Sequence, residues 1–89
     1  MQPNSEVLAL SKQGKKLLKQ QRYNDAEKIF LEALGLEPEN SYILVGLGDL
    51  FRQTNKFSKA ISFYSRLLEI DESNVFALRG IGDCYRGLR

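Results

Sequence analysis

The sequence predicts an all-α fold in which helix-turn-helix units of 34 residues stack as a short right-handed α-solenoid. Two observations lead to this prediction. The sequence repeats with a period of 34 residues, as Gly14, Gly48 and Gly82 show, and apolar residues in each period follow helical spacing that changes phase once. We therefore expect a single domain of about two and a half units and five helices, with units at 7–40 and 41–74 and a partial unit at 75–89.

The first helix of each unit carries a glycine at the same phase. These helices are predicted at 5–21, 41–54 and 75–88, and the glycines lie among apolar residues such as Leu44 and Phe51. Glycine in a helix interior costs about 0.5–1 kcal/mol relative to alanine. Its recurrence in three helices indicates that a neighbouring helix packs closely there.

The second helix of each unit has the clearest amphipathic pattern. These helices are predicted at 24–36 and 57–70, where apolar residues recur at i, i+3, i+4, i+7 and i+8. The apolar stripes are Ala26, Ile29, Phe30, Ala33 and Leu34 in one helix and Ala60, Phe63, Tyr64, Leu67 and Leu68 in the other. Each second helix is therefore expected to bury one face.

Polar residues and a proline mark where helices begin and end. Asn24, followed by Glu27, predicts a capping box at the start of a second helix. Asn40 and Asn74 are expected to cap the first helices that follow them. Pro38 is expected to end the helix before it, because proline disfavours helical backbone in the preceding residue.

The residue spacing in the second unit matches a known repeat signature. That signature is Trp-x2-Leu-Gly-x2-Tyr, then Ala-x3-Phe, then Pro, over a 34-residue period. The matching residues, with Leu in place of Trp, are Leu44, Leu47, Gly48, Phe51, Ala60 and Tyr64. The chain therefore resembles the tetratricopeptide repeat family. The resemblance implies an interaction scaffold whose first helices line a concave groove that holds a peptide or helix of a protein partner.

Composition argues against several other classes of protein. The chain has 89 residues, a net charge of +2, one Cys and no His. A Ser-His-Asp triad and a metal site with imidazole ligands are therefore excluded, and the lone Cys84 can form no internal disulfide. No stretch approaches the roughly 18 apolar residues of a membrane span. We expect a cytoplasmic protein that has no enzymatic activity and uses no cofactor.

Charge is divided unequally between the two kinds of predicted helix. The first helices, with Arg89 included, carry eight basic against three acidic side chains and a net charge of +5. The rest of the chain has a net charge of −3. A basic groove favours an acidic partner through electrostatic steering and complementarity.

Helical phase selects the side chains of the predicted groove, which are first-helix positions away from the buried stripe. The set is Ser11, Lys12, Lys15, Lys19, Tyr42, Val45, Gly46, Asp49, Arg52, Phe76, Arg79, Gly80, Asp83 and Arg86. Stacked units would align these residues in an aromatic row, a glycine row, an acidic row and an arginine row. The glycine row is expected to let a ligand backbone approach, and the arginine row to bind its carboxylates.

Other interpretations of the same residues stay open. The acid–arginine pairs can merely solvate a helix surface, and Tyr42 and Phe76 can pack between units. A nucleic acid or an anionic membrane can bind the lysines at i, i+3, i+4 and i+7, which are Lys12, Lys15, Lys16 and Lys19. No motif specific for nucleic acid accompanies them. Residues 75–89 lack a following helix, so we expect either a homo-oligomer formed through this end or a chain that is a piece of a longer repeat array.

Overall fold

The computed structural model describes residues 5–88, which form five α-helices. They are α1 (Ser5–Lys19), α2 (Tyr23–Leu36), α3 (Ser41–Gln53), α4 (Phe57–Ile70) and α5 (Val75–Gly87). The predicted all-α fold is confirmed, and each helix end lies within two residues of its predicted position. Arg89, which contributes to the predicted basic charge of the first helices, lies outside the described residues.

The helices are arranged in two rows. α3 contacts both α1 and α5, whereas no residue of α2 has its Cα within 8 Å of a Cα in α4. α2 packs against both α1 and α3, and α4 packs against both α3 and α5. The molecule is therefore elongated, measuring 42 × 29 × 17 Å, with α1, α3 and α5 side by side along one face.

The same tight turn follows α1 and α3. Gln21 and Asn55 have φ values of 61° and 62°, in the left-handed region where most residues are strained. The next amide in each case reaches back across the helix end, Arg22 to the Leu17 carbonyl at 2.9 Å and Lys56 to the Phe51 carbonyl at 2.8 Å. This is the hydrogen bond by which a left-handed residue closes a helix, and it directs the chain into an antiparallel helix.

The caps of α3 and α5 form as predicted. The Asn40 side chain accepts hydrogen bonds from the amides of Tyr42 at 3.0 Å and Ile43 at 3.2 Å. The Asn74 side chain accepts one from the amide of Ala77 at 3.0 Å. These bonds satisfy amides that have no partner within the first turn of a helix.

The predicted capping box at Asn24 is wrong. α2 begins at Tyr23, one residue earlier, and the side chain of the preceding Arg22 caps none of the helix amides but pairs with Asp25 at 2.7 Å. The Arg22 carbonyl already accepts a hydrogen bond from the Ala26 amide at 2.9 Å. The helix thus begins directly after the left-handed turn at Gln21, and Asn24 lies in the first turn of α2. At the other end, α2 stops at Leu36, before Pro38, as predicted.

We expect Asn40→Ala to lower the free energy of unfolding by about 1 kcal/mol, because two amides of α3 lose their acceptor. Chemical denaturation followed by circular dichroism measures this change. Asn24→Ala is the matched control and should change stability by less than about 0.5 kcal/mol, since no cap depends on it. Equal losses in the two variants would contradict the assignment of the caps.

Aromatic rings of the second helices pack against glycines of adjacent first helices. The Phe30 ring lies between α1 and α3, and a Cβ built on Gly14 or Gly46 would lie 2.6 or 2.7 Å from its Cε1 atom. The Tyr64 ring takes the same position between α3 and α5, against Gly48 and Gly80. Phe30 and Tyr64 are both fully buried. A side chain at any of these glycines would occupy space that the rings fill.

The predicted close approach is confirmed at Gly14 and Gly48 but not at Gly82. A Cβ on Gly48 would lie 2.7 Å from Cδ1 of Tyr64, whereas a Cβ on Gly82 would meet nothing within 4 Å. Gly82 has the same phase in α5 that Gly48 has in α3, but no helix covers it within the described part of the chain. The predicted close approach is not found at Gly82 because no aromatic ring packs against it within residues 5–88.

Candidate functional site

Most of the predicted groove residues are accessible along the row formed by α1, α3 and α5. Tyr42 is 48% exposed and Phe76 is 67% exposed, so neither is buried between units. Lys15 on α1 lies over the Tyr42 ring on α3, with its Nζ atom 3.7 Å from the ring centroid. This cation–π contact joins the predicted residues of the first two units into one surface.

Two shallow depressions lie where α1 meets α3. One, of about 280 Å³, is lined by Lys15, Leu18, Lys19, Gln21, Gly46, Asp49 and Gln53. The other, of about 260 Å³, is lined by Val7, Leu8, Ser11, Lys12, Glu37, Asn40 and Tyr42. Together the depressions contain seven of the predicted groove residues, and those of α5 line neither. The seven are Ser11, Lys12, Lys15, Lys19, Tyr42, Gly46 and Asp49.

The glycine row has a packing role that was not predicted for it. Gly46 and Gly80 are buried, with the rings of Phe30 and Tyr64 packed against them. Their missing side chains make room for these rings of the second helices. Ser11 is also buried, at 3% exposure, and its hydroxyl donates a hydrogen bond to the Val7 carbonyl at 2.8 Å.

Asp49 and Arg52 form a contact with α4 that sequence reasoning missed. The Tyr64 hydroxyl donates a hydrogen bond to Oδ1 of Asp49 at 2.5 Å, and Nε of Arg52 donates one to the Tyr64 hydroxyl at 3.2 Å. Arg52 also lies 3.4 Å from Asp49. Burial and the hydrogen bond to Asp49 raise the pKa of Tyr64.

One signal in the sequence could have revealed this contact. Tyr64 stands one period after Phe30, so its hydroxyl is the only added atom in otherwise equivalent rings. A buried hydroxyl requires a hydrogen-bond partner, and Asp49 supplies one beside the ring. The acid and arginine rows thus have a structural role in α3, in addition to any contact with a ligand.

The residues of α5 repeat part of this arrangement. Asp83 and Arg86 form an ion pair at the same spacing as Asp49 and Arg52. Arg86 has 68% of its side chain exposed, compared with 31% for Arg52. No tyrosine hydroxyl reaches the α5 pair within the described residues, so the pair is open to solvent.

Cys84 is a packed core residue, as its phase predicts. Its side chain is fully buried, and burial raises the pKa of its thiol, which disfavours the reactive thiolate. Within residues 5–88, no three side chains of His, Cys, Asp or Glu lie together in a way that could hold a metal ion. None of the described helices is both long enough and apolar enough to cross a membrane.

The sequence of these helix pairs matches a family profile. The profile for the tetratricopeptide repeat covers residues 11–75, which is more than two thirds of the chain. The chain belongs to the tetratricopeptide repeat family. Repeats of this family generally mediate interactions between proteins, and the family is typically a non-enzymatic scaffold. A search of curated protein sequences gave no match.

Proposed function

We propose that this tetratricopeptide repeat protein is an adaptor that binds an acidic segment of a partner protein along α1, α3 and α5. The contact begins in the depressions between α1 and α3. The observation that carries this proposal is the positive net charge of the row formed by α1, α3 and α5. These three helices hold seven basic and three acidic side chains. Among the described residues, α2 and α4 together hold three basic and four acidic side chains.

The lysines of α1 supply most of this positive charge. Within the described part of the chain, none of the four lysines of α1 takes part in an ion pair, and Lys12, Lys15 and Lys19 line the two depressions. The ammonium group of Lys15 also makes a cation–π contact with the Tyr42 ring. A carboxylate placed there would gain a charge-assisted hydrogen bond beside an aromatic surface.

Arg52 is less available to a ligand than sequence reasoning suggests. Its guanidinium is already engaged by Tyr64 and Asp49, and only 31% of its side chain is exposed. A substitution there would disturb the packing of α4 as well as the groove. The lysines of α1 are therefore the better residues for a test.

The double variant Lys15→Glu/Lys19→Glu should weaken the binding of acidic peptides at least tenfold, because two attractive charges become repulsive. The experiment screens an array of acidic peptides, with and without an aromatic residue, at physiological salt. Titration of the strongest peptide against the intact protein and the variant then gives the change in Kd, where a tenfold change corresponds to about 1.4 kcal/mol.

Lys16→Glu/Lys28→Glu is the matched control. It makes the same change in net charge, but Lys16 has a different helical phase from Lys15 and Lys28 lies on α2, and both are exposed. Equal weakening in both double variants would contradict the groove and support general attraction to polyanions. Binding that collapses steeply as salt rises would point the same way, since phosphate contacts release counterions.

A further inference from the structure

The two depressions between α1 and α3 differ in the chemistry of their walls. One, which we call the apolar depression, has a mainly apolar wall that includes Val7, Leu8 and Tyr42. The other, which we call the basic depression, has a more polar wall that includes Lys15 and Lys19. A ligand that fills both depressions therefore needs an apolar group at one end and a charged group at the other.

Tyr42 contributes an aromatic surface to the apolar depression. Its side chain is 48% exposed although α3 has α1 on one side and α5 on the other. The exposure of Tyr42 is therefore a property of the middle of the helix row and does not result from either end of the chain. Leu8, one period earlier on α1, lines the same depression and is 52% exposed. Together the two side chains form an apolar surface that a ligand side chain can cover.

A ligand carboxylate is favoured in only one of the two depressions. The apolar depression is lined by one cation, Lys12, and one anion, Glu37, so its formal charges cancel. The basic depression has Lys15 and Lys19 against a single acid, Asp49. Because opposite charges attract most strongly at short range, a carboxylate gains most beside the two lysines. The charges thus fix which end of the ligand enters which depression.

The distance between the depressions sets the spacing of the two ligand groups. On α1, the residues that line the basic depression follow those that line the apolar depression by about eight positions, or about 12 Å of helix. An extended peptide rises about 3.3 Å per residue, and every second side chain lies on the same side. Two side chains four positions apart therefore face the same way at a separation of about 13 Å.

The width of the furrow between α1 and α3 also favours an extended ligand. Cα atoms of these two helices lie within 8 Å of each other. An α-helix with its side chains is about 10–12 Å across, so it could not enter the furrow as a whole. A single extended strand is narrower and can direct one side chain into each depression.

We propose that the groove recognises an extended peptide in which an apolar residue and an acidic residue stand four positions apart. The apolar side chain enters the apolar depression against Leu8 and Tyr42, and the carboxylate pairs with Lys15 and Lys19. This inference rests on the function proposed above and adds to it the apolar anchor and the spacing. Leu8, which is absent from the predicted groove residues, becomes a residue that determines specificity.

Synthetic serine-rich peptides test the anchor and the spacing. Each carries one phenylalanine and two adjacent aspartates, with the nearer aspartate one, four or seven positions from the phenylalanine, and each is made in both chain directions. Titration of the isotope-labelled intact protein, followed by NMR, measures Kd into the millimolar range. In the better direction, we expect the spacing of four to bind about fivefold more tightly than the other spacings, because only it buries the ring. Serine in place of phenylalanine should cause the same loss.

Leu8→Gln tests the wall of the apolar depression. It should remove the advantage of the phenylalanine peptide over the serine peptide, whereas Lys15→Glu/Lys19→Glu should weaken both. Leu31→Gln is the matched control, since Leu31 is 43% exposed on α2 and lines neither depression. This control should bind both peptides like the intact protein, and circular dichroism verifies that all variants are folded.

The possible outcomes separate this inference from the function on which it rests. Equal binding of the phenylalanine and serine peptides would overturn the inference but leave an acidic ligand in the groove. Tightest binding at a spacing of one or seven would also overturn it, and seven is the spacing that a helical ligand requires. If no aspartate peptide binds at millimolar concentration, both proposals are wrong. A dimer of the chain that Leu8→Gln dissociates would overturn the choice of a peptide as the occupant.

Discussion

Tyr64→Ala is expected to lower the free energy of unfolding by about 3–5 kcal/mol, a large part of the about 5–15 kcal/mol that stabilises a typical domain. The ring is fully buried between Gly48 and Gly80 and joins three helices. Its removal leaves a cavity where α3, α4 and α5 meet. It also leaves Asp49 and Arg52 without the hydroxyl that they share.

Denaturation in urea, followed by circular dichroism, measures this loss. Tyr64→Phe is the control that keeps the ring and removes the hydroxyl, and it should cost about 1 kcal/mol. The difference between the two variants then gives the contribution of ring packing. A loss below about 1 kcal/mol for Tyr64→Ala would show that the ring does not bridge α3 and α5, since core aromatic truncations normally cost far more.

Alanine at Gly48 and at Gly82 should have effects of opposite sign, although the two glycines have the same phase in the repeat. At Gly48 the added Cβ would lie 2.7 Å from Cδ1 of the Tyr64 ring, which cannot retreat because Gly80 packs against its other side. We expect a loss of about 1–3 kcal/mol. At Gly82 nothing opposes the Cβ, so alanine should stabilise the helix by about 0.5–1 kcal/mol.

The same denaturation experiment compares the two variants directly. Gly35→Ala on α2 serves as a reference for an open helical glycine and should resemble Gly82→Ala. Destabilisation by Gly82→Ala would contradict the open space beside Gly82, because a loss of stability requires a neighbouring atom that clashes with the new methyl group. Tolerance of Gly48→Ala would contradict the tight packing of Tyr64.

Local signals in the sequence were sufficient to predict several structural elements. The positions of the helices follow from apolar periodicity, because that pattern reflects which face is buried whatever the partner is. The caps at Asn40 and Asn74 were predictable because a cap involves only residues two or three positions apart. The capping box at Asn24 failed because the preceding turn, closed by Gln21 in a left-handed conformation, set the start of α2 instead.

The candidate groove was only partly predictable. Helical phase placed Lys15, Tyr42 and Asp49 on the accessible row, and the structure brings Lys15 against Tyr42. The same phase argument placed Gly46 in the groove, where the structure has it beneath the Phe30 ring. Phase gives the direction of a side chain from its own helix but not the position of the neighbouring helix. Whether a residue faces a groove or a packed helix is therefore undecided until the helices are assembled.

The sequence by itself determined the repeat period, the helices and the family, because these depend on spacing along one chain. The tertiary structure decided which packing and hydrogen-bond partners each of two equivalent residues has. Gly48 accommodates Tyr64 while Gly82 is open, and Asp49 holds a hydroxyl while Asp83 holds only Arg86. The physical reason is that a side chain's energy depends on the atoms packed against it, and equivalent residues of successive repeats have different neighbours within residues 5–88.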